Sequence, residues 1–258
     1  MKFVQVEIEN HIATITLNRK EAANAMSVQL LYDLHDTLYE LKYDTNVRVV
    51  IITGSGESVF SAGADLKERK TMDEQEVKKT VALIGSTVNE IEELPQPVIA
   101  AMNGAAFGGG FELALACCIR ILSEEAKVGL TEASLGIIPG AGGTQRLARL
   151  IGRGRAKELI YTARRVSASE ALQYGMVEYV VPKEEVLKKA NRLANEMVEN
   201  APLSLIQAKK AINEGLEVDV KTGLKIEKMA YDLLLQSKDR IEGLQAFKEK
   251  RKPDYKGE

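Results

Sequence analysis

Apolar and polar residues alternate along the first part of the chain. Val4, Val6 and Ile8 alternate with polar residues, and the pattern repeats from Ala13 to Leu17 after Asn10-His11. Alternation with period two places one set of side chains on one face of a strand. The pattern therefore predicts an N-terminal hairpin with one buried face.

The apolar spacing then changes to that of a helix. Ser27 is a suitable N-cap, and it precedes leucines at helical spacing: Leu30, Leu31, Leu34, Leu38 and Leu41. The run from Val47 to Thr53 is almost continuously apolar, which is typical of a strand covered on both faces. These segments predict a helix packed on a sheet that continues with a buried strand.

Two capping-box patterns, Thr71 with Glu74 and Ser167 with Glu170, predict further helix starts. Beyond Pro182 no segment resembles a strand, and helices are predicted over 183–198, 203–214, 218–235 and 238–250. The shift in composition predicts an α/β core over residues 1–199, carrying any site, and a helical C-terminal region over residues 200–258.

The segment from Met102 to Cys118 is the strongest candidate for a site. An apolar strand leads into Gly108, Gly109 and Gly110, and an apolar helix with Glu112 near its start follows. Such a junction directs free backbone N–H groups and the positive end of a helix dipole at whatever lies in front of it. The alternative is a simple turn closing a strand–helix unit, with Glu112 merely favouring a helix N-terminus. From this segment alone both interpretations stay open.

Composition excludes several classes of protein. The net charge of −2 gives no electrostatic reason to expect nucleic acid or an anionic membrane surface as a partner. No apolar run approaches the roughly 18 residues of a membrane span, and the N-terminus lacks a signal-peptide core. We therefore predict a cytoplasmic protein that does not associate with membranes.

Cysteine and histidine offer little catalytic or metal chemistry. Cys117 and Cys118 are adjacent in an apolar stretch, so buried unreactive thiols are predicted and no metal site. His11 and His35, the two histidines, fit no zinc or nucleophile motif. If the protein is an enzyme, its proton chemistry falls to carboxylates, tyrosine or lysine.

A dinucleotide site is disfavoured as well. Gly140 and Gly142 follow an apolar run, but the third glycine of the nucleotide motif would fall at Gln145. The turn also lies in the middle of the chain, whereas the motif belongs to a first strand–turn–helix unit.

Taken together, several segments resemble the enoyl-CoA hydratase/isomerase (crotonase) family. The resemblance covers essentially the whole chain in the right order, through Leu17 to Arg19, Asn24 to Met26, Phe60 to Leu66, Asn103-Gly104, Gly108 to Ala114, Leu135 to Leu147 and Glu242 to Arg251. It implies a spiral of ββα units forming two roughly perpendicular sheets, with a C-terminal helical trimerisation region. A homotrimer or homohexamer acting on an acyl-CoA thioester is implied, with no cofactor beyond the coenzyme A of the substrate.

The resemblance also implies the site. The backbone N–H groups of Ala64 and Gly109 would form an oxyanion hole. Substrate would be bound by Ala62, Ala64, Asp65, Leu66, Lys67 and Gly109. Family members that hydrate 2-enoyl-CoA carry two glutamates, and Glu112 and Glu132 match both positions, Glu112 activating water and Glu132 protonating C2. Hydration needs a base and an acid, which two neighbouring carboxyls with separated pKa values provide.

Two departures and two alternatives accompany this prediction. Cys118 stands where the family commonly has Asp, and Thr131 stands where Pro is frequent; neither change removes a catalytic group.

The segments Ala64 to Arg69, Ala156 to Ala163 and Ala211 to Glu258 look especially like methylglutaconyl-CoA hydratases, some of which are described as RNA-binding. Those proteins carry a lysine-rich first helix, whereas residues 28–43 here hold Lys42 as their one lysine, so a phosphate-binding face is missing and RNA binding is not expected. The preferred prediction is hydration of 2-trans-enoyl-CoA, with methylglutaconyl-CoA hydration or double-bond isomerisation as alternatives.

Overall fold

The computed structural model describes residues 2–258. Ten strands occur in this part of the chain: β1 Val4–Glu9, β2 Ile12–Leu17, β3 Val49–Gly54, β4 Val59–Ser61, β5 Val98–Met102, β6 Ala105–Phe107, β7 Ile119–Ser123, β8 Lys127–Gly129, β9 Val166–Ser167 and β10 Tyr179–Val181.

Eleven α-helices accompany these strands within the same residues. They are α1 Val28–Tyr43, α2 Leu66–Arg69, α3 Glu74–Glu93, α4 Gly109–Ala116, α5 Gly143–Ile151, α6 Arg153–Thr162, α7 Ala168–Gln173, α8 Val186–Val198, α9 Pro202–Gly215, α10 Val220–Leu234 and α11 Lys238–Glu249. Short 3₁₀ helices cover Lys20–Ala22, Glu132–Leu135 and Lys183–Glu185. Among residues 2–258, no helix is both long enough and apolar enough to cross a membrane.

The strands form two sheets. The larger sheet has the order β1-β2-β3-β5-β7-β10 and is parallel except for the predicted hairpin of β1 and β2. The smaller sheet has the order β4-β6-β8-β9 and is parallel except for β8 and β9. The chain alternates strands and helices and ends in helices, so the predicted α/β class is confirmed.

Strand β3 shows why the buried strands read as continuous apolar runs. Val50 and Ile52 face the main core, which includes residues of α1, α3 and α4, whereas Val49 and Ile51 face a second core against α8. Because successive side chains of a strand point to opposite faces, a strand covered on both sides needs apolar residues at every position. The prediction of a strand covered on both faces is confirmed.

The predicted helix starts have mixed outcomes. Ser27 caps α1 by accepting a hydrogen bond from the Leu30 amide, and Ser167 forms the predicted capping box with Glu170. The box at Thr71 is wrong, because the carboxylate of Asp73 accepts from the Glu76 amide at 2.8 Å and caps α3. Thr71 instead donates to the Glu68 carbonyl at 2.8 Å, and so belongs to the preceding turn.

The adjacent cysteines point in different directions. Cys117 is buried as predicted, and burial raises the pKa of its thiol to about 12. Cys118 is exposed, so the prediction that both thiols are buried is wrong for this residue. The backbone at Cys117 is extended, and successive side chains of extended backbone lie on opposite sides, so only one of the two can enter the core.

The C-terminal helices are less buried than the rest of the chain. The buried apolar residues after residue 199 are Ala230 and Ala246. Large apolar side chains of these helices are more than half exposed instead, including Ile212, Leu216, Leu224, Met229, Tyr231 and Leu233. Exposed apolar surface of this extent is typical of a surface that contacts another protein. The division into residues 1–199 and 200–258 stays a prediction.

Removal of one apolar side chain from β3 tests the two-sided core. We expect Ile51→Ala to lower the free energy of unfolding by about 2 to 5 kcal/mol, because Ile51 is fully buried and its loss leaves a cavity. The matched control is Ile8→Ala on edge strand β1, where the side chain is 52% exposed and the cost should stay below about 1 kcal/mol. Urea denaturation at equal protein concentrations measures both, and equal costs would contradict this description of the core.

Candidate active site

The two loops predicted to form the oxyanion hole leave neighbouring strands. Strands β4 and β6 pair in parallel, with Ser61 opposite Ala106. Their carboxyl ends therefore lie at the same edge of the small sheet, and the segments that follow, starting at Ala62 and Gly108, are brought side by side. The topology, and not the sequence separation, places these segments together.

Gly108 and Gly109 form the start of α4. Gly108 has a φ of 51°, in the left-handed region that favours glycine, and a Cβ atom there would lie 3.0 Å from Oε1 of Glu132. Gly109 is the first residue of the helix, where a backbone N–H has no partner inside the helix. Its amide is therefore available to a ligand.

The other loop is fixed around Asp65. The Met26 amide donates to the Gly63 carbonyl at 2.8 Å, and the Asp65 carboxylate accepts hydrogen bonds from the amides of Lys67 and Glu68. Arg19 forms an ion pair with Asp65 at 2.6 Å. Burial alone would raise the Asp65 pKa, but Arg19 and these amides hold it below its usual value. Asp65 thus caps α2 and anchors the loop.

The two loops come into direct contact at Gly63. Its φ is 88°, and a Cβ atom there would lie 2.7 Å from the Phe107 carbonyl oxygen and 2.9 Å from the Gly109 amide nitrogen. A Cβ atom on Gly109 would lie 3.7 Å from the Ala64 nitrogen. Neither the Ala64 nor the Gly109 amide donates to another group in residues 2–258. Two free N–H donors are therefore held near each other.

Glu112 lies one turn into α4 and is only 3% exposed. Its Oε1 accepts hydrogen bonds of 2.8 Å from the amides of Ala141 and Gly143, in the turn before α5. Burial raises the Glu112 pKa, whereas these amides and the charge of Arg146 oppose the rise. The pKa of Glu112 is still raised overall, and the two amide hydrogen bonds limit the rise by stabilising the ionised form.

Glu132 has a different environment. It begins the 3₁₀ helix Glu132–Leu135, and its buried Oε2 has no hydrogen-bond partner in residues 2–258. Burial and then the charge of Glu112 raise the Glu132 pKa to about 7. Of the two carboxyls, Glu132 is thus the one that holds a proton near neutral pH, which makes it an acid beside a base.

Both carboxyls and both amides border one cavity of about 500 Å³. Six predicted site residues line it: Ala62, Ala64, Leu66, Gly109, Glu112 and Glu132. Asp65 and Lys67 are not among the lining residues, and Asp65 acts through the loop. Sequence reasoning missed most of the remaining wall, contributed by Arg69, Val81, Ile84, Leu135, Ile137, Ile138, Gly140 and Ala141. Thr131, noted as a departure from the family, also lines the cavity. The roles assigned to the site residues stay predictions.

No group of three or more His, Cys, Asp or Glu side chains in residues 2–258 is arranged to hold a metal ion. The residues with polar side chains that line the cavity are Arg69, Glu112, Thr131 and Glu132, and Ala64 and Gly109, which carry the free amides, line it as well. Such a set can stabilise an oxyanion and move protons.

Comparison with known proteins agrees with this geometry. The family model for enoyl-CoA hydratase/isomerase matches residues 7–258, so the chain belongs to the enoyl-CoA hydratase/isomerase family. The Bacillus subtilis protein YngF, named for the same family, is 56% identical over 96% of this chain and 95% of its own length. A mouse mitochondrial methylglutaconyl-CoA hydratase is 48% identical over 98% of this chain and 82% of its own length.

A solved structure confirms the predicted fold class. The crystal structure of an enoyl-CoA hydratase from Bacillus anthracis superposes with a TM-score of 0.98 at 54% identity, covering 99% of this chain and 100% of that chain. The crotonase-like fold inferred from the resemblance is therefore correct, whereas trimerisation through the C-terminal helices stays a prediction.

The unpaired Glu132 carboxyl makes stability depend on pH. Because its pKa in the folded protein is raised to about 7, the wild type loses stability as pH rises from about 4.5 through 7. The variant lacks this titration, so we expect its gain in free energy of unfolding over wild type to be about 1 to 3 kcal/mol larger at pH 8.5 than at pH 5. Denaturation curves at both pH values measure the difference, with Glu125→Gln, an exposed acid, as control. A gain that is the same at both pH values would refute the assignment.

Proposed function

We propose that this protein is an enoyl-CoA hydratase that adds water across the double bond of 2-trans-enoyl-CoA and yields 3-hydroxyacyl-CoA. The observation that carries the proposal is the contrast between two carboxyls on one cavity wall. Glu112 accepts two amide hydrogen bonds, and Glu132 has a buried oxygen without a partner in the described residues 2–258. One base and one acid are the groups that a hydration requires.

The thioester oxygen accepts hydrogen bonds from the amides of Ala64 and Gly109. As water adds to C3, negative charge accumulates on this oxygen, and two fixed donors in a partly desolvated cavity stabilise it. The loop contact at Gly63 keeps the two donors in place before substrate arrives. This oxyanion hole lowers the energy of the enolate formed during the reaction.

Glu112 takes a proton from the attacking water, and the resulting hydroxide adds to C3. Glu132 gives its proton to C2 of the enolate, so that H and OH are both added and no electrons are exchanged with a cofactor. Glu112 ends protonated and Glu132 ionised, and one proton transfer between them restores the starting state. The only coenzyme required is therefore the coenzyme A of the substrate.

The loop from Ala62 to Lys67 holds the coenzyme A portion. Ala62, Ala64 and Leu66 border the cavity, and Lys67, the next residue after Leu66, is exposed and carries a cation. Asp65 supports binding indirectly, because its ion pair with Arg19 fixes the backbone of this loop.

Two alternative reactions could be carried out with the same site residues. Double-bond isomerisation moves a proton between carbon atoms and needs one carboxyl only, so the presence of two favours hydration. Hydration of a branched substrate is suggested by the name of the mouse relative, a methylglutaconyl-CoA hydratase. The acyl preference is decided by the cavity wall beyond the two carboxyls.

We further propose that the protein assembles as a homotrimer or homohexamer through its C-terminal helices. Their exposed apolar side chains, such as Leu216 and Met229, support this assembly. Fatty-acid breakdown in the cytoplasm is the proposed setting. Because one of the relatives is mitochondrial, fractionation of the source cells is the test of that compartment.

Hydration of crotonyl-CoA tests the proposed function. We expect the absorbance of the conjugated thioester to fall as 3-hydroxybutyryl-CoA forms. Glu112→Gln and Glu132→Gln should each lower kcat by about 10²- to 10⁴-fold, because each removes one proton-transfer group. Glu125→Gln, which neutralises an exposed acid, should leave kcat unchanged.

Two results would contradict the proposal. Unchanged rates in both glutamine variants would show that the two carboxyls have no role in proton transfer. A wild type that only converts 3-hexenoyl-CoA to 2-hexenoyl-CoA would be an isomerase.

The contact between the two loops is tested by a pair of glycine substitutions. Gly63→Ala places a Cβ atom 2.9 Å from the Gly109 nitrogen and should displace that donor, lowering kcat by about 10²- to 10³-fold. Gly175→Ala has comparable backbone strain, since its φ is 73°, but nothing lies within 4 Å of the added atom. Steady-state kinetics with crotonyl-CoA should therefore separate the two variants. Equal losses would assign the effect to backbone strain.

A further inference from the structure

Arg146 of α5 contacts the turn that holds Glu112. Its Nη1 donates to the Ala141 carbonyl at 2.9 Å, and the Ala141 amide donates in turn to Oε1 of Glu112 at 2.8 Å. The guanidinium lies so close to this turn that a Cβ atom on Gly142 would be 2.1 Å from Nη1. The Arg146 side chain is only 14% exposed. It is therefore packed directly against the backbone that positions the base.

The peptide group that Arg146 holds lies between the two that donate to Glu112. The Glu112 carboxylate accepts from the amides of Ala141 and Gly143, and the peptide group with the Ala141 carbonyl stands between those two amides in the chain. Neighbouring peptide groups are planar and share one Cα atom, so a rotation of the middle group redirects the N–H groups beside it. One hydrogen bond from Arg146 therefore constrains both donors.

The same guanidinium is anchored to α3. Its Nη2 donates to the side-chain oxygen of Asn89 at 2.8 Å, and Oε2 of Glu92 accepts from Nη2 at 2.5 Å and from Nε at 3.2 Å. Helix α3 also lines the catalytic cavity through Val81 and Ile84. A planar guanidinium has five N–H donors in fixed directions and can hold several acceptors at once. Arg146 therefore ties the turn to a helix of the cavity wall.

Few charged groups surround Glu112. Helices α3 and α5 and strands β4 and β6 pack against α4, and the two strands carry no charged residue. The two helices contribute Arg146 and its partner Glu92, and their other charged side chains are exposed or paired elsewhere. Glu132 and Arg69 line the same cavity as Glu112. Arg146 is the cation whose charge opposes the rise in the Glu112 pKa.

We propose that Arg146 is a positioning residue for the hydration reaction, because it holds the turn whose amides orient Glu112. The inference rests on the proposed hydratase function and adds a residue that acts through the base. In the described part of the chain, Arg146 is not among the residues that line the cavity, so it acts on Glu112 and not on the substrate. Since its charge favours the ionised carboxylate, its loss has the largest effect at low pH, where Glu112 takes up a proton.

The test is the hydration of crotonyl-CoA followed over a range of pH. Arg146→Met should lower kcat at neutral pH by about 10- to 100-fold, because released amides no longer orient the base, while KM stays nearly unchanged. The acidic limb of kcat/KM, which reports the base in the free enzyme, should move to higher pH. A role in folding alone would not move this limb.

Two further variants separate position from charge. Arg146→Lys keeps the cation but loses the planar set of donors, so kcat should fall between wild type and Arg146→Met, with the acidic limb as in wild type. Glu92→Gln weakens the anchor on α3 and should lower kcat less than Arg146→Met, without moving the limb to higher pH. The Glu92 side chain is 43% exposed, so this variant keeps the test decisive if Arg146→Met does not fold.

The matched control is Arg149→Met, one turn further along α5. Arg149 is exposed and paired with Glu217, and we expect no change in kcat, KM or the pH profile.

Three results would overturn the inference. They are an unchanged kcat in Arg146→Met and Glu92→Gln, a lower kcat in Arg146→Met with an unmoved acidic limb, and a higher KM with an unchanged kcat, which would place Arg146 against the substrate. In each case, hydration of crotonyl-CoA by the wild type would leave the proposed function intact. A wild type that does not hydrate crotonyl-CoA would remove the proposed function and this inference together.

Discussion

The site depends on the contact between two backbone segments that leaves no room for a side chain. The loop after β4 and the start of α4 approach each other so closely that a Cβ atom on Gly63 would lie 2.9 Å from the Gly109 nitrogen. The parallel pairing of β4 with β6 brings both segments to one sheet edge. The ion pair of Arg19 with Asp65 then holds the first loop in position. The sheet order, the glycines and the buried aspartate are needed together to present two free amides.

The proposed chemistry depends on the different hydrogen bonding of two buried carboxyls, Glu112 and Glu132. Glu112 accepts hydrogen bonds from a turn that follows it by almost 30 residues, whereas Glu132 is buried with one oxygen that has no partner in the part of the chain that the structure describes. A buried polar atom without a hydrogen-bond partner lowers the free energy of unfolding, and such atoms are rare in protein cores. Glu132 therefore destabilises the fold. The same burial raises the pKa of Glu132 into the range where it can give up a proton at neutral pH. Stability and catalytic function are therefore in opposition at this residue.

Local patterns predicted most of the secondary structure, and their failures have a common cause. Thr71 with Glu74 and Asp73 with Glu76 fit the same capping pattern, and the structure uses the second pair. Cys118 lies in an apolar stretch beside a buried cysteine, yet faces outward. In both cases the sequence pattern admits two placements, and the contacts of the surrounding chain select one. The apolar residues of α9 and α10 could likewise be predicted as helical, but not as largely exposed.

The sequence by itself indicated the longer strands and helices, the α/β class and the two glycine-containing loops, because these follow from periodicity and from residues with special backbone freedom. It did not indicate the short strands β4, β6 and β9 of the smaller sheet. Through the family resemblance it also indicated Glu112 and Glu132. Only the tertiary structure decided that Asp65 supports a loop and does not line the cavity, and that Arg69, which has no side-chain partner among residues 2–258, is one of the lining residues. The physical reason is that burial, hydrogen bonding and pKa are set by groups distant in sequence. Ala141 lies 29 residues from Glu112 and Arg19 lies 46 from Asp65, and no local pattern records either distance in space.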